Sequence, residues 1–303
     1  MFRRFLLAAS LSAPLAAARA QAPVRLRVAS KLDTEGQVLG HVMLLLAERE
    51  GIPTEARLAL GPTRVVRAAL LAGEVDFYPE YTGNAAFFHD RANDEGWRDP
   101  ARAHAMAAAL DAPLGLVWLA RAPASNAWAI AVRRDLAARE SLRTVADLGV
   151  ALARGVALRL AASAEFVESP AALPAFERTY GFVFPRAQIT VLPGGDTAVT
   201  ARAAAQGLSG VNAAMVYGTD GAPGALGLMV LEDPRNAQVA FEPAPVARAV
   251  ALERFPAIRA PLEEAFGRLD LATLRALNAT AVVEGRPPRE VARGFLVRAG
   301  LLR

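Results

Sequence analysis

The chain has 303 residues, 53% of them hydrophobic and 21% charged, which is enough material for the cores of two modest domains. Its formal net charge is +4, but Arg3, Arg4 and Arg19 contribute three of these charges, so the remainder is near neutral and lacks the basic surface that nucleic-acid binding needs. The chain has no cysteine, which excludes both a disulfide framework and a lipid-modified cysteine.

The first 20 residues predict a secretory signal peptide. Arg3 and Arg4 precede an apolar stretch at 5–15, and Ala18-Arg19-Ala20 has the form of a signal-peptidase site. Cleavage there would leave Gln21 as the mature N-terminus and place the protein in the periplasm. The paired arginines leave the twin-arginine route open, although general secretion is favoured. No later run approaches the roughly 20 apolar residues that a membrane helix needs.

After this segment, strands and helices alternate, which predicts an α/β fold. Residues 24–30 alternate between apolar and basic side chains as a strand does, and residues 34–50 place their apolar side chains on one helical face. The same order continues with predicted strands at 57–60, 75–78 and 116–119 and predicted helices at 63–72 and 100–110. We therefore expect a largely parallel sheet, with ligand-facing groups at the carboxyl ends of its strands.

A proline-containing break at 121–126 predicts a crossing into a second domain. The predicted strands that follow are 127–132, 157–162, 188–192, 212–216 and 228–231, and the predicted helices are 145–152, 173–180 and 197–206. A return strand is expected at 244–250, followed by helices at 260–268, 271–278 and 288–299. We expect a first lobe of residues 21–122 and 239–303 and a second lobe of residues 123–238.

The sequence contains no recognisable catalytic constellation. His41, His89 and His104 are too scattered to suggest a zinc pair. No serine stands in G-x-S-x-G, and no glycine loop carries a phosphate-binding lysine. The segment 194–197 is instead typical of a strand-to-helix turn, with Asp196 or Thr197 as the N-cap. We therefore expect no metal, no cofactor and no enzymatic activity.

The segment DFYPEYTGN, residues 76–84, indicates recognition of a small ligand. A short apolar run ends on Tyr78 and Tyr81, which brings aromatic rings to the end of a strand. Such a tyrosine can instead cap the core with its hydroxyl in solvent. Lys31, the only lysine in the chain, follows the first strand at the same kind of edge. Its compact ammonium group suits a single carboxylate oxygen.

Seven sequence blocks, in order, carry a family resemblance. They are SKLDTEG (30–36), LGPTRVVRAALLAGEVDFYPEYTGN (60–84), APASNAWAIAV (122–132), ASAEF (162–166), GGDTAVT (194–200), NAAMVYGTDG (212–221) and PAPVAR (243–248). The chain resembles the substrate-binding proteins of osmoprotectant ABC importers, most of all their OsmF/YehZ branch. The resemblance implies a type II periplasmic binding protein, with two α/β lobes joined by two hinge crossings, that binds glycine betaine, choline or carnitine.

The resemblance also implies an aromatic cage for the ligand. The cage positions of the family fall on Tyr81, Trp128, Tyr217 and Phe241, and all four are aromatic in this chain. A quaternary ammonium cannot donate a hydrogen bond, so stacked π faces are its appropriate receptor.

The same resemblance places the ligand carboxylate near Lys31 and Asn84, with the first turn of the helix after Thr34 adding a favourable dipole. Ser169 stands where many relatives carry an arginine. This substitution implies one charge-assisted contact fewer to a ligand carboxylate.

These features predict a monomeric periplasmic solute-binding protein that captures a quaternary-amine osmolyte, above all glycine betaine, and delivers it to an inner-membrane ABC permease. Choline or another small zwitterion is the alternative ligand. A secreted hydrolase would need a nucleophile and a base, which the sequence does not bring together. The effector domain of a transcriptional regulator would share the two-lobed fold, but it conflicts with the signal peptide and with the missing DNA-binding helix pair.

Overall fold

The structure is a computed structural model that describes residues 24–193 and 196–303. The predicted signal peptide, the cleavage site before Gln21, and Gly194 and Gly195 lie outside the described residues. None of the described helices combines the length and the apolar character that a bilayer crossing requires.

The elements alternate along the chain as the sequence predicts. The strands are β1 (Leu26–Lys31), β2 (Thr54–Gly61), β3 (Phe77–Tyr81), β4 (Leu116–Trp118), β5 (Trp128–Arg133), β6 (Leu160–Ala162), β7 (Ile189–Val191), β8 (Ala213–Tyr217), β9 (Leu228–Val230) and β10 (Pro243–Arg248). The α-helices are α1 (Thr34–Arg49), α2 (Thr63–Leu71), α3 (Thr82–Phe88), α4 (Pro100–Asp111), α5 (Arg134–Glu140), α6 (Val145–Ala153), α7 (Ala164–Glu168), α8 (Leu173–Tyr180), α9 (Thr197–Gln206), α10 (Ala222–Ala225), α11 (Ala249–Arg254), α12 (Arg259–Gly267), α13 (Leu271–Val282) and α14 (Pro288–Arg298). The sequence does not predict the short helices α3, α5, α7, α10 and α11, because so few turns give little helical periodicity.

Within the described ranges the strands form two five-stranded sheets, ordered β2-β1-β3-β10-β4 and β7-β6-β8-β5-β9. Helices cover both faces of the first sheet. Leu26 and Val28 pack into a cluster with α1 and the C-terminal helices, while Ala29, which follows on the opposite face of the strand, belongs to a cluster with α2, α3 and α4. The second sheet is covered in the same way, with Ile130 and Ala131 in different clusters. The period-2 alternation of strand side chains produces these two faces.

Four of the five strands in each sheet run in the same direction, as a largely parallel sheet requires, and one strand in each sheet is reversed. β10 runs antiparallel to β3 and β4, and β5 runs antiparallel to β8 and β9. Each of these strands follows a passage of the chain from one sheet to the other. Such a strand starts at the end of the sheet where the parallel strands finish, so its direction is reversed.

The two crossing segments lie side by side and are hydrogen-bonded to each other. The backbone N–H of Ala122 donates to the carbonyl of Pro243 at 2.8 Å, and that of Asn126 donates to the carbonyl of Phe241 at 2.9 Å. Paired backbone segments of this kind give a defined link between the two halves. Two sheets with two crossings are the architecture that the resemblance implies.

Candidate ligand-binding site

A cavity of about 950 Å³ is lined by residues from both halves of the molecule. All seven residues singled out in the sequence line it, namely Lys31, Tyr81, Asn84, Trp128, Ser169, Tyr217 and Phe241. Their contact with a ligand stays a prediction. Tyr78 is not among the lining residues, because it is fully buried and its hydroxyl donates to Glu80 Oε2 at 2.8 Å.

Trp128 and Tyr217 form one aromatic wall. They are direct partners in the antiparallel pair of β5 and β8. Their rings are stacked with centroids 4.3 Å apart and planes inclined by 22°, and Phe166 supports Trp128 edge-on at 5.6 Å. At 4.3 Å nothing fits between the two rings, so they act together as one π surface. Burial, with Glu165 nearby, raises the pKa of the Tyr217 phenol, which therefore stays a neutral hydrogen-bond donor.

Phe241 contributes to the aromatic lining on the other side, where it stacks on Phe87 with centroids 6.4 Å apart. Phe87, which no motif in the sequence indicated, also lines the cavity and is 44% exposed. Gly83 makes this arrangement fit, because a Cβ at that position would lie 2.8 Å from the Phe241 ring. The glycine of the YTGN motif thus gives Phe241 the room it needs at the start of α3.

Lys31 lies against Tyr81 and is already paired with a carboxylate. Its ammonium sits 4.5 Å from the centroid of the Tyr81 ring and forms an ion pair with Glu80. Lys31 is 6% exposed, and Glu80 is fully buried. Its charge is thus compensated within the protein, and two of its three N–H donors are left for other partners. The expected contact between Lys31 and a ligand carboxylate stays a prediction.

Glu80 organises several of the predicted site residues. Its Oε1 accepts hydrogen bonds from Lys31, from the Asn84 side-chain amide at 2.7 Å and from the Tyr81 backbone N–H at 2.7 Å. Tyr78 satisfies the other oxygen. A buried carboxylate needs this many donors, and it holds the side chains that supply them in place.

The first turn of α1 also faces the cavity, but its N-terminus is already capped. Asp33 precedes the helix, and its side chain accepts a hydrogen bond from the Gly36 N–H at 2.6 Å. A cap of this type satisfies one of the free N–H groups and supplies negative charge to the positive end of the helix dipole. The first turn therefore has less to offer a ligand carboxylate than the sequence predicts.

Glu35 is a site residue that the sequence did not indicate. It is 6% exposed and lines the cavity, where it accepts hydrogen bonds from the Tyr81 hydroxyl at 2.7 Å, from Asn126 at 3.2 Å and from Asn278 at 2.5 Å. Burial raises the pKa of its carboxyl group, whereas the hydrogen bonds from Tyr81 and Asn278 oppose the shift. The Tyr81 hydroxyl is thus committed to Glu35.

The charged groups around the cavity are mostly acidic. Of the residues that the structure describes, no arginine lines the cavity, and the single lysine is paired with Glu80. The acidic lining residues are Asp33, Glu35, Glu165, Asp196 and Asp220. This lining favours a ligand with a cationic group.

Two of the three histidines have hydrogen-bond partners within the protein, and Asp196 caps a helix. His89 Nε2 lies 2.8 Å from Asp111 and His104 Nε2 lies 2.8 Å from the Leu119 carbonyl, so both are satisfied within the protein. Among residues 24–193 and 196–303, no group of three potential metal ligands comes together. Asp196 is the N-cap of α9, as one of the two alternatives predicted.

Comparison with known proteins identifies the family. Residues 24–298 match the family described as the substrate binding domain of ABC-type glycine betaine transport systems. The chain belongs to this family. It is 48% identical over 293 residues to the glycine betaine-binding protein YehZ of Escherichia coli, covering 96% of this chain and 94% of that protein. It is 30% identical over 293 residues to a glycine-betaine-binding protein of Pseudomonas aeruginosa, covering 95% and 91%.

Structural comparison agrees with this membership. The solved structure of apo YehZ from E. coli matches with a TM-score of 0.85 at 47% identity, covering 93% of this chain and all of that chain. The predicted periplasmic-binding-protein fold is thereby confirmed. A substrate-binding domain of an ABC-type transport system has a small solute and a membrane permease as partners, and it is not an enzyme. The prediction of a binding protein without catalytic activity is confirmed by this family.

Proposed function

We propose that this protein captures a small quaternary-amine osmolyte, above all glycine betaine, in the periplasm and presents it to an inner-membrane ABC permease. The observation that carries the proposal is the cavity lined by Trp128, Tyr217 and Phe241. Aromatic faces attract a weakly hydrated cation that cannot donate hydrogen bonds. The names of the two relatives above, both glycine betaine-binding proteins, point to the same ligand.

The trimethylammonium group lies, in this proposal, against the Trp128–Tyr217 wall and faces the acidic lining. The carboxylate lies on the side of Lys31 and Asn84, whose remaining N–H donors are its partners. Because Glu80 neutralises Lys31, this half of the site binds a carboxylate through hydrogen bonds rather than through an uncompensated positive charge. The acidic lining keeps choline, which has the ammonium group without the carboxylate, as the alternative ligand.

Calorimetric titration with glycine betaine, proline betaine, choline and carnitine tests the proposal directly. We expect saturable binding of glycine betaine by the mature chain. Binding of choline alone would replace glycine betaine by the alternative ligand, and no heat with any of the four would reject the function.

The proposal also covers the location of the protein, its oligomeric state and the bounds of its lobes. We propose that the protein is a monomer in the periplasm after cleavage at Ala20, and that nucleic acid is not a partner. Its lobes would comprise residues 21–122 with 239–303, and residues 123–238. The sheets support this division, since β1 to β4 and β10 form one sheet and the intervening strands form the other.

Ser169→Arg is expected to tighten glycine betaine binding by about tenfold to a hundredfold, because a charge-assisted hydrogen bond to the ligand carboxylate contributes roughly 1.5 to 3 kcal/mol. Ser169 lines the cavity at the C-terminus of α7, and the chain as it stands offers no arginine among the described lining residues. The measurement is a titration of glycine betaine and choline with each variant. Ser169→Gln, which has a polar side chain without the charge, is the control and should leave the betaine-to-choline ratio unchanged. Equal or weaker betaine binding by Ser169→Arg would mean that this position does not reach the ligand carboxylate.

A further inference from the structure

A contact away from the two crossings joins the halves of the molecule beside the cavity. The turn 218–221, which follows β8, lies on helix α13. Arg275 Nε donates to the Gly218 carbonyl at 2.7 Å, and Asn278 Nδ2 donates to the Thr219 carbonyl at 2.8 Å. Gly221 packs so closely that a Cβ on it would lie 2.1 Å from the backbone nitrogen of Ala279. The backbones of turn and helix are thus in direct contact.

Asn278 binds both halves through one amide group. Its Nδ2 donates not only to Thr219 but also to Glu35 Oε2 at 2.5 Å, so both of its N–H donors are used. Asn278 and Glu35 are each 6% exposed, and Thr219 is 1% exposed. Hydrogen bonds in such a dry environment compete little with water and define geometry strongly. The amide orientation follows from these contacts, since both partner atoms are acceptors.

The bonds on either side of Asn278 lead to predicted cage residues. On one side Glu35 accepts the hydroxyl of Tyr81 at 2.7 Å. On the other, the turn is tied to the second aromatic wall, because Asp220 Oδ2 accepts the Tyr217 backbone N–H at 2.9 Å. A continuous set of contacts therefore connects an aromatic residue at the end of β3 with one at the end of β8.

We propose that Asn278 is a positioning residue that fixes the distance between Tyr81 and the Trp128–Tyr217 wall, and so holds the cavity in the form that binds a quaternary amine. The ligand part of this inference rests on the proposed function. The role differs from ligand contact, because both N–H donors of Asn278 are committed to the protein.

The test is a double-mutant cycle on Glu35 and Asn278. Asn278→Asp turns a donor into a second carboxylate facing Glu35, and Glu35→Gln turns an acceptor toward Asn278 into a donor. Each change is expected to weaken glycine betaine binding about tenfold to a hundredfold. The double variant Glu35→Gln/Asn278→Asp restores one hydrogen bond with donor and acceptor exchanged, so it should bind more tightly than either single variant. Losses that add in the double variant, or unchanged affinity in Asn278→Asp, would overturn the proposal.

A second measurement does not depend on the ligand. Gly221→Ala forces the turn away from α13 while Glu35 and Asn278 themselves remain unsubstituted. Small-angle scattering of the ligand-free variant should therefore show a larger radius of gyration than that of wild type. Gly224→Ala is the matched control in the next helical turn, because no atom lies within 4 Å of a Cβ at that position. Equal radii of gyration for Gly221→Ala, Gly224→Ala and wild type would contradict the proposal that the contact between turn 218–221 and α13 holds the two halves together. If wild type binds no quaternary amine, the proposed function fails, and scattering still decides whether this contact sets the arrangement of the halves.

Discussion

Lys31→Met is expected to lower the free energy of unfolding by about 3 to 5 kcal/mol, because it leaves a buried carboxylate without its cation. Glu80 is fully buried, and Lys31 is its only cationic partner within the described chain. Denaturant unfolding at pH 7, followed by circular dichroism, measures the loss. The double variant Lys31→Met/Glu80→Gln should recover most of it, since a neutral amide can stay buried with its remaining hydrogen bonds.

Arg289→Met is the control for Lys31→Met. Arg289 pairs with Glu48 at 2.7 Å, but both side chains are exposed, so removing this pair should cost no more than about 1 kcal/mol. Equal losses for the two variants would mean that the buried pair has no special role. In folded Lys31→Met protein, glycine betaine binding should weaken more than choline binding, because only betaine presents a carboxylate to Lys31. Equal weakening would make Lys31 a purely structural residue.

Trp128→Ala is expected to weaken binding of glycine betaine by on the order of 1 to 3 kcal/mol, and Tyr217→Ala by a similar amount. The two rings form one stacked π surface in the cavity, so removing either ring exposes the cation and disturbs the other ring. Titration calorimetry gives the affinities, and circular dichroism checks that each variant is folded. Unchanged affinity in both folded variants would reject the assignment of this wall to the ligand.

The charge of the ligand can be separated from its shape. The compound 3,3-dimethylbutanoate has the outline of glycine betaine, with a carbon atom in place of the quaternary nitrogen and no positive charge. Wild type should bind it more weakly than betaine, and Trp128→Ala should lose less affinity for it. Trp128→Phe keeps a π face and should retain part of the betaine affinity. A loss as large for the uncharged analogue would show that the ring acts through shape alone.

The alternation of strands and helices could be predicted from local patterns in the sequence, whereas most of the predicted lining residues came from the family resemblance. The helix after Asp33 is visible in apolar periodicity, and a strand is visible at 75–78, although in the structure that strand runs from Phe77 to Tyr81. The stacking of Trp128 on Tyr217 could not be predicted, since it requires β5 to lie antiparallel to β8. That direction depends on where the crossing segment enters the sheet, which no local pattern encodes.

Glu35 and Asn278 show what sequence reasoning misses. Glu35 has the position of an ordinary acidic residue in the first turn of a helix, where it suits the helix dipole. Asn278 is a single polar residue within a C-terminal helix. They meet across 243 residues, so neither neighbourhood reveals the other. Glu80 did leave a signal, because an acid in the otherwise apolar and aromatic strand at 77–81 requires a buried partner, and the chain has one lysine.

The solitary lysine gives the protein a built-in chemical reporter. Besides the N-terminal amine, Lys31 carries the only primary amine in the chain, and in the folded state it is 6% exposed and held by Glu80. Acylating reagents should therefore modify the folded protein at its N-terminus alone and reach Lys31 only when the surrounding structure opens. The rate of the second acylation, followed by mass spectrometry, would time the opening of this part of the molecule without any introduced label.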